Sequence, residues 1–66
     1  MGYYLSTVDG NGNTFDMTFT TFSRAMEILY EQLRSDTIDF VSFQMSIEEK
    51  DGLRVIMAGW KDVNNL

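Results

Sequence analysis

Residues 53–60, Leu-Arg-Val-Ile-Met-Ala-Gly-Trp, restrict the possible folds of this chain more than any other stretch. A strand with one face on a core and one in water alternates apolar and polar residues, because successive side chains point to opposite sides of the sheet. Here both sides are apolar: Leu53, Val55 and Met57 on one, Ile56, Ala58 and Trp60 on the other. A chain of 66 residues with one helical pattern covers only one of them. The other face must stand open or meet a partner.

The remaining pattern supplies the layers. Residues 3–8 read as a strand rich in aromatic and branched residues. Residues 9–13, Asp-Gly-Asn-Gly-Asn, read as a hairpin loop, since nearly all of them tolerate positive φ. Residues 14–20 alternate strictly, with Phe15, Met17 and Phe19 on one face and Thr14, Asp16, Thr18 and Thr20 on the other. A five-residue loop sets Leu5 opposite Met17 and Tyr3 opposite Phe19, which unites the apolar faces. Phe22, Ala25, Met26, Leu29 and Leu33 then fall at helical spacing, with Thr21 or Ser23 as the cap and a stop near Ser35 and Asp36. The third strand spans 38–47, with Val41, Phe43, Met45 and Ile47 alternating with Ser42, Gln44 and Ser46. The expected fold is α+β in the order ββαββ, a single domain over 1–66. One helix packs on one face of a four-stranded, mainly antiparallel sheet, with Phe15, Met17, Phe19, Met26, Leu29 and Phe43 as its core.

The second hairpin decides which residues are left outside. A two-residue Asp51-Gly52 turn sets Ile47 opposite Ile56, Met45 opposite Ala58 and Glu49 opposite Arg54, leaving Leu53, Val55 and Met57 on the uncovered face. A five-residue loop buries Val55 and Met57 instead and leaves Ile56 and Trp60 outside. The tighter turn is preferred, and both leave an apolar stripe on the open face. A tail at 63–66 that folded back over the stripe is the simplest alternative to a partner.

Composition narrows the function. The chain has no Cys and no His, so it lacks disulfides, thiolate metal sites and the common nucleophile–base pairs. No spacing of Ser, Thr or carboxylates picks out an acid–base couple, and no enzyme is expected. Asp9, Asn11 and Asn13 imitate the opening of a calcium loop, but Thr14 stands where glycine is needed and Thr20 where the closing Glu is needed. No cofactor or metal is expected. Ten acids against five bases give a net charge of −5, which opposes phosphate backbones and anionic lipid and favours a basic protein partner. No run reaches the ~20 apolar residues of a membrane span and no signal peptide is visible. Met1-Gly2 to Ser6 matches the bare myristoylation pattern, though the same residues read well as a strand. The expected location is the cytoplasm.

Two candidate surfaces remain. Glu48, Glu49 and Asp51 form the densest acidic run, with Asp16 on the wet face of the second strand, and Asp9, Asp36 and Asp39 are expected at the opposite end. Leu53, Val55, Met57 and Trp60 are the apolar contact candidates, for a foreign partner or for a two-fold homodimer.

In size, acidity, absence of cysteine, ββαββ order and the Glu48-Glu49-Lys50-Asp51-Gly52 tip, the chain resembles the small inhibitors that phages encode against host nucleases, including anti-CRISPR proteins and DNA mimics. The resemblance implies a basic nucleic-acid-handling target, such as a CRISPR effector or nuclease, blocked by occupation of its binding surface. It carries no motif from which individual residues can be transferred. The other expectation is a structural or accessory subunit that docks through its exposed apolar strand.

Overall fold

The computed structural model describes residues 2–34 and 40–61. Strand β1 (Tyr3–Asp9) and β2 (Thr14–Phe19) precede helix α1 (Phe22–Arg34), and β3 (Phe40–Glu49) and β4 (Gly52–Trp60) follow it. The strands form one antiparallel sheet in the order β2-β1-β3-β4. The protein is therefore α+β with ββαββ order. Its two hairpins join along β1 and β3, and α1 carries the chain between them. The expected start of β3 at Ile38, the helix stop at Ser35 and Asp36, the acids Asp36 and Asp39, and the tail at 63–66 lie outside the described residues. No described helix is long and apolar enough to cross a membrane.

The first hairpin has the register that its alternation predicts, with Leu5 opposite Met17 and Tyr3 opposite Phe19. Its loop is closed by Asp9, whose Oδ1 accepts from the backbone N–H of Asn11 at 2.9 Å and of Asn13 at 2.8 Å. Asn13 Nδ2 also donates to Asp9 Oδ2 at 3.1 Å. Gly12 N donates to Asp9 O at 3.1 Å, and Gly12 takes the positive φ of 84° that the end of such a turn requires. These donors stabilise the Asp9 carboxylate, first of all the backbone N–H of Asn13, and hold its pKa below the ordinary aspartate value.

Cross-strand pairing stacks Met17, Leu5, Met45 and Met57 in one row across all four strands on the helix side. Leu5 and Met45 are fully buried under Ala25 and Leu29 of α1, and Met26, Ile28 and Leu33 pack around them. Ala25 lets the helix backbone approach the sheet, because it adds only a methyl group between them. Thr21 caps the helix, with its Oγ1 accepting from Arg24 N at 3.3 Å. At the other end Lys61, just past β4, donates to the carbonyl of Leu33, placing a cation at the negative end of the helix.

The core differs from expectation in two places. Phe15 was expected inside but is 47% exposed, because its row, Phe15–Thr7–Phe43–Gly59, runs near the end of the sheet. Thr7, a polar residue in an aromatic row, is fully buried instead. Phe22 begins the helical stripe yet remains 41% exposed, tilted against Tyr3 at a ring-centroid distance of 5.7 Å.

Leu29 sits at the centre of a core this small, so Leu29→Ala is expected to cost about 2–5 kcal/mol and to leave the protein largely unfolded at ambient temperature. Thermal melting followed by circular dichroism checks this. Because the folded-state pKa of Asp9 is lowered, its contribution to stability is present above the unfolded value and is lost as pH falls through the folded one. Carboxyl-detected NMR titration is expected to show Asp9 titrating below an ordinary aspartate, and Asp9→Asn to flatten the acid limb of the stability curve.

Candidate docking face

The β3–β4 turn fixes what the sheet presents on its far side. Glu49 pairs with Gly52, so Lys50 and Asp51 occupy the turn centre, and the expected Asp51-Gly52 centre is corrected. The physical reason lies in the backbone. Among the described residues only Gly12 and Gly52 have positive φ, Gly52 at 128°. A turn with Asp51-Gly52 at its centre in the usual hairpin geometry needs positive φ at both residues. With Lys50 and Asp51 at the centre, the unusual φ falls on glycine alone. The Asp9 loop does the same, with Gly12 in the position of Gly52.

From this turn Glu48 pairs with Leu53, Ile47 with Arg54 and Ser46 with Val55. The ladder then shifts between Met45 and Ser46, and Met45 pairs with Met57, Gln44 with Ala58, Phe43 with Gly59 and Ser42 with Trp60. Ile56 is the extra residue of a β-bulge, two residues of β4 opposing one of β3. The expected pairs of Ile47 with Ile56 and Met45 with Ala58 are therefore replaced. The five-residue-loop register is absent too.

The bulge resolves the two-sided stretch. Ile56 and Met57 both pack against the core, while Leu53 and Val55 before the bulge and Ala58 and Trp60 after it share the other face. Met57, expected as a contact residue, is a core residue. Leu53, Val55 and Trp60 are exposed at 61%, 47% and 69%. Gly59 follows from the same packing: a Cβ there would come within 2.7 Å of the Phe43 ring lying over it.

The other three strands supply the polar part of this face. Its rows are Thr18–Tyr4–Ser46–Val55 and Asp16–Ser6–Gln44–Ala58, with Val8, Ser42 and Trp60 beyond them. Between Asp16 on β2 and Leu53 and Val55 on β4 lies a shallow concavity of about 480 Å³, floored by Tyr4, Ser6, Gln44 and Ser46. Tyr4 Oη donates to Glu48 Oε2 at 3.3 Å, and the charge of Glu48 is the main reason its phenol pKa is raised.

The acidic candidates are separated. Glu48 and Asp16 lie on the open face, whereas Glu49 points to the helix side and forms an ion pair with Arg54, diagonally across the ladder. That pair was expected, though by direct opposition rather than on the diagonal. Asp51 stays in the turn.

The basic residues are distributed just as unevenly. Arg54 is opposite Ile47 on the helix-side face, Arg24 pairs with Glu27 at 3.2 Å on α1, Arg34 ends that helix, Lys61 reaches Leu33 and Lys50 sits in the turn. These five are all the lysines and arginines of the chain, and none occupies a paired strand position on the open face. Asp16, Leu53 and Val55 were expected on this surface; that Ala58 and Trp60 join them in place of Met57 was not legible in the sequence, because it depends on the bulge. Among the described residues no cluster of acidic side chains has a metal-binding arrangement. Comparisons with protein-family models, curated proteins and solved structures find no significant match to the chain.

If Ile56 is an inserted residue, deleting it is expected to restore a regular ladder while keeping Leu53, Val55 and Trp60 outside. Trp60 emission should then stay red-shifted and fully quenchable in both wild type and deletion variant. A blue shift on deletion would show that the strand had changed faces.

Proposed function

We propose that the protein is a non-catalytic binding module that docks a basic protein on the sheet face opposite α1. The observation that carries this is the exposed row of Leu53, Val55 and Trp60 along β4, with Glu48 next to it and Asp16 at the opposite edge, on a face where no lysine or arginine occupies a paired strand position. Apolar groups concentrated on one face and rimmed by polar ones mark interaction sites. Carboxylates on the same face, in no ion pair among the described residues, select for positive charge, by steering the encounter and penalising acidic partners. Two copies meeting through this face would bring Asp16 and Glu48 of each together without a counter-charge, so a foreign basic partner suits the surface better than a homodimer. On the resemblance to phage-type inhibitors, the partner is a nucleic-acid-handling host protein, a nuclease or CRISPR effector in the cytoplasm, blocked by occupation.

The second reading, an accessory subunit held by apolar docking, is favoured by the same three side chains of β4 and differs in its salt response. Contact through Asp16 and Glu48 weakens as salt rises, whereas apolar docking does not.

Affinity capture from a lysate of the native host, with identification by mass spectrometry, tests both. The wild type is expected to retain a basic nucleic-acid-binding protein that Leu53→Ser with Trp60→Ser loses. The helix control Arg24→Ser with Glu27→Ser should keep it. Equal capture by wild type and open-face variant removes the proposal, and capture indifferent to salt favours the accessory-subunit reading.

A further inference from the structure

We infer that the element received on this face is an extended segment of the partner, running across the strands, with an arginine or lysine over Asp16 and an apolar side chain four residues away on the β4 row. The inference rests on the reading of this face as a docking surface for a basic protein, and names what that surface selects.

The argument is one of spacing. Asp16 lies on β2 and Val55 on β4, at the two edges of the described sheet. Asp16 shares its row with Ala58, and Val55 lies one row away, so three inter-strand steps of ~4.8 Å and ~7 Å along the strand separate them by roughly 16 Å on a diagonal. An extended chain rises ~3.3 Å per residue, so four residues cover about 13 Å, residues i and i+4 point to the same side, and the long basic side chain spans the rest. The residue between them, at i+2, also faces the sheet and falls over Ser6, Gln44 and Ser46, which offer hydroxyls and an amide to a small polar side chain. The preferred segment is thus basic–x–small polar–x–apolar. A helix fits less well. Its apolar stripe needs a wide apolar bed, and here the apolar side chains line one edge, with only Tyr4 and Val8 among the polar residues of β1 and β3.

Charge completes the match. No described ion pair involves Asp16, and no lysine or arginine shares its face. Tyr4 already donates to Glu48 on the same face, leaving Asp16 as the carboxylate without a described side-chain donor.

NMR titration of the labelled protein with short synthetic peptides tests the inference. An acetylated Gly-Arg-Ala-Ser-Ala-Leu-Gly amide is expected to shift the amides of Ser6, Asp16, Gln44 and Val55 in a saturable way. Moving the leucine to i+3, which turns it to the opposite side, or replacing the arginine by glutamate, should weaken binding at least several-fold. Asp16→Asn, an exposed change, should weaken the arginine peptide by about fivefold, the upper range for one exposed ion pair, and should not weaken the glutamate peptide, whose repulsion it relieves. Val55→Thr, which keeps the branched shape, should act on the leucine end alone.

Equal binding of the i+3 peptide overturns the spacing, and shifts confined to the β3–β4 turn overturn the site. Dilution shifts of the same amides without peptide would show a second copy on the face and also overturn it. If no peptide binds while the captured host protein still requires Leu53 and Trp60, the docking face stands and the extended segment fails. If the ordered peptide binds while no host protein is captured, the spacing rule stands and the inhibitor reading fails.

Discussion

The single extra residue in β4 governs the rest of the molecule. A strand alternates sides with a period of two, so a continuous ladder would force every second residue of 53–60 onto one face. The bulge at Ile56 re-phases the strand by one residue halfway along. Before it, the odd positions Leu53 and Val55 face outward, and after it the even positions Ala58 and Trp60 do. Ile56 and Met57 are both delivered to the core, where Met57 completes the row begun by Met17, Leu5 and Met45. A thin, one-helix core gains two side chains from one strand, and the outer face gains an unbroken apolar border.

The same re-phasing places Lys61 on the helix side, where it reaches the Leu33 carbonyl. Arg54, which precedes the bulge, falls on the helix side in this register as it does in the Asp51-Gly52 one, and pairs with Glu49 there. The exposed ion pair itself contributes little to stability, because solvent screens it and ordering two long side chains opposes it. Its effect is positional, fixing the arginine side chain on the helix side of the sheet.

A face of this kind suits recognition better than assembly with itself. Its centre is polar, its border apolar, and among the described residues its carboxylates form no ion pair. Desolvating two such faces against each other brings like charges together, whereas a basic, partly apolar segment offsets both features at once.

The fold was legible because its signals are local. The alternation of residues 14–20, the spacing of Ala25, Met26, Leu29 and Leu33, and the Asp-Gly-Asn-Gly-Asn loop each report one period or one turn. Together they give the element order, the register of the first hairpin and the face on which α1 lies. Apolar groups on both sides of 53–60 likewise announced an open apolar face. The tertiary structure alone decided which residues form it. The shift at Ile56 is set by competition between the β3–β4 turn, which fixes the register from one end, and the core, which demands Met57 opposite Met45 from the other. Two constraints one residue out of step are reconciled by a bulge, and no local pattern records that mismatch. Hence Met57 moved inside, and Ala58 and Trp60 joined Leu53 and Val55 on the outer face.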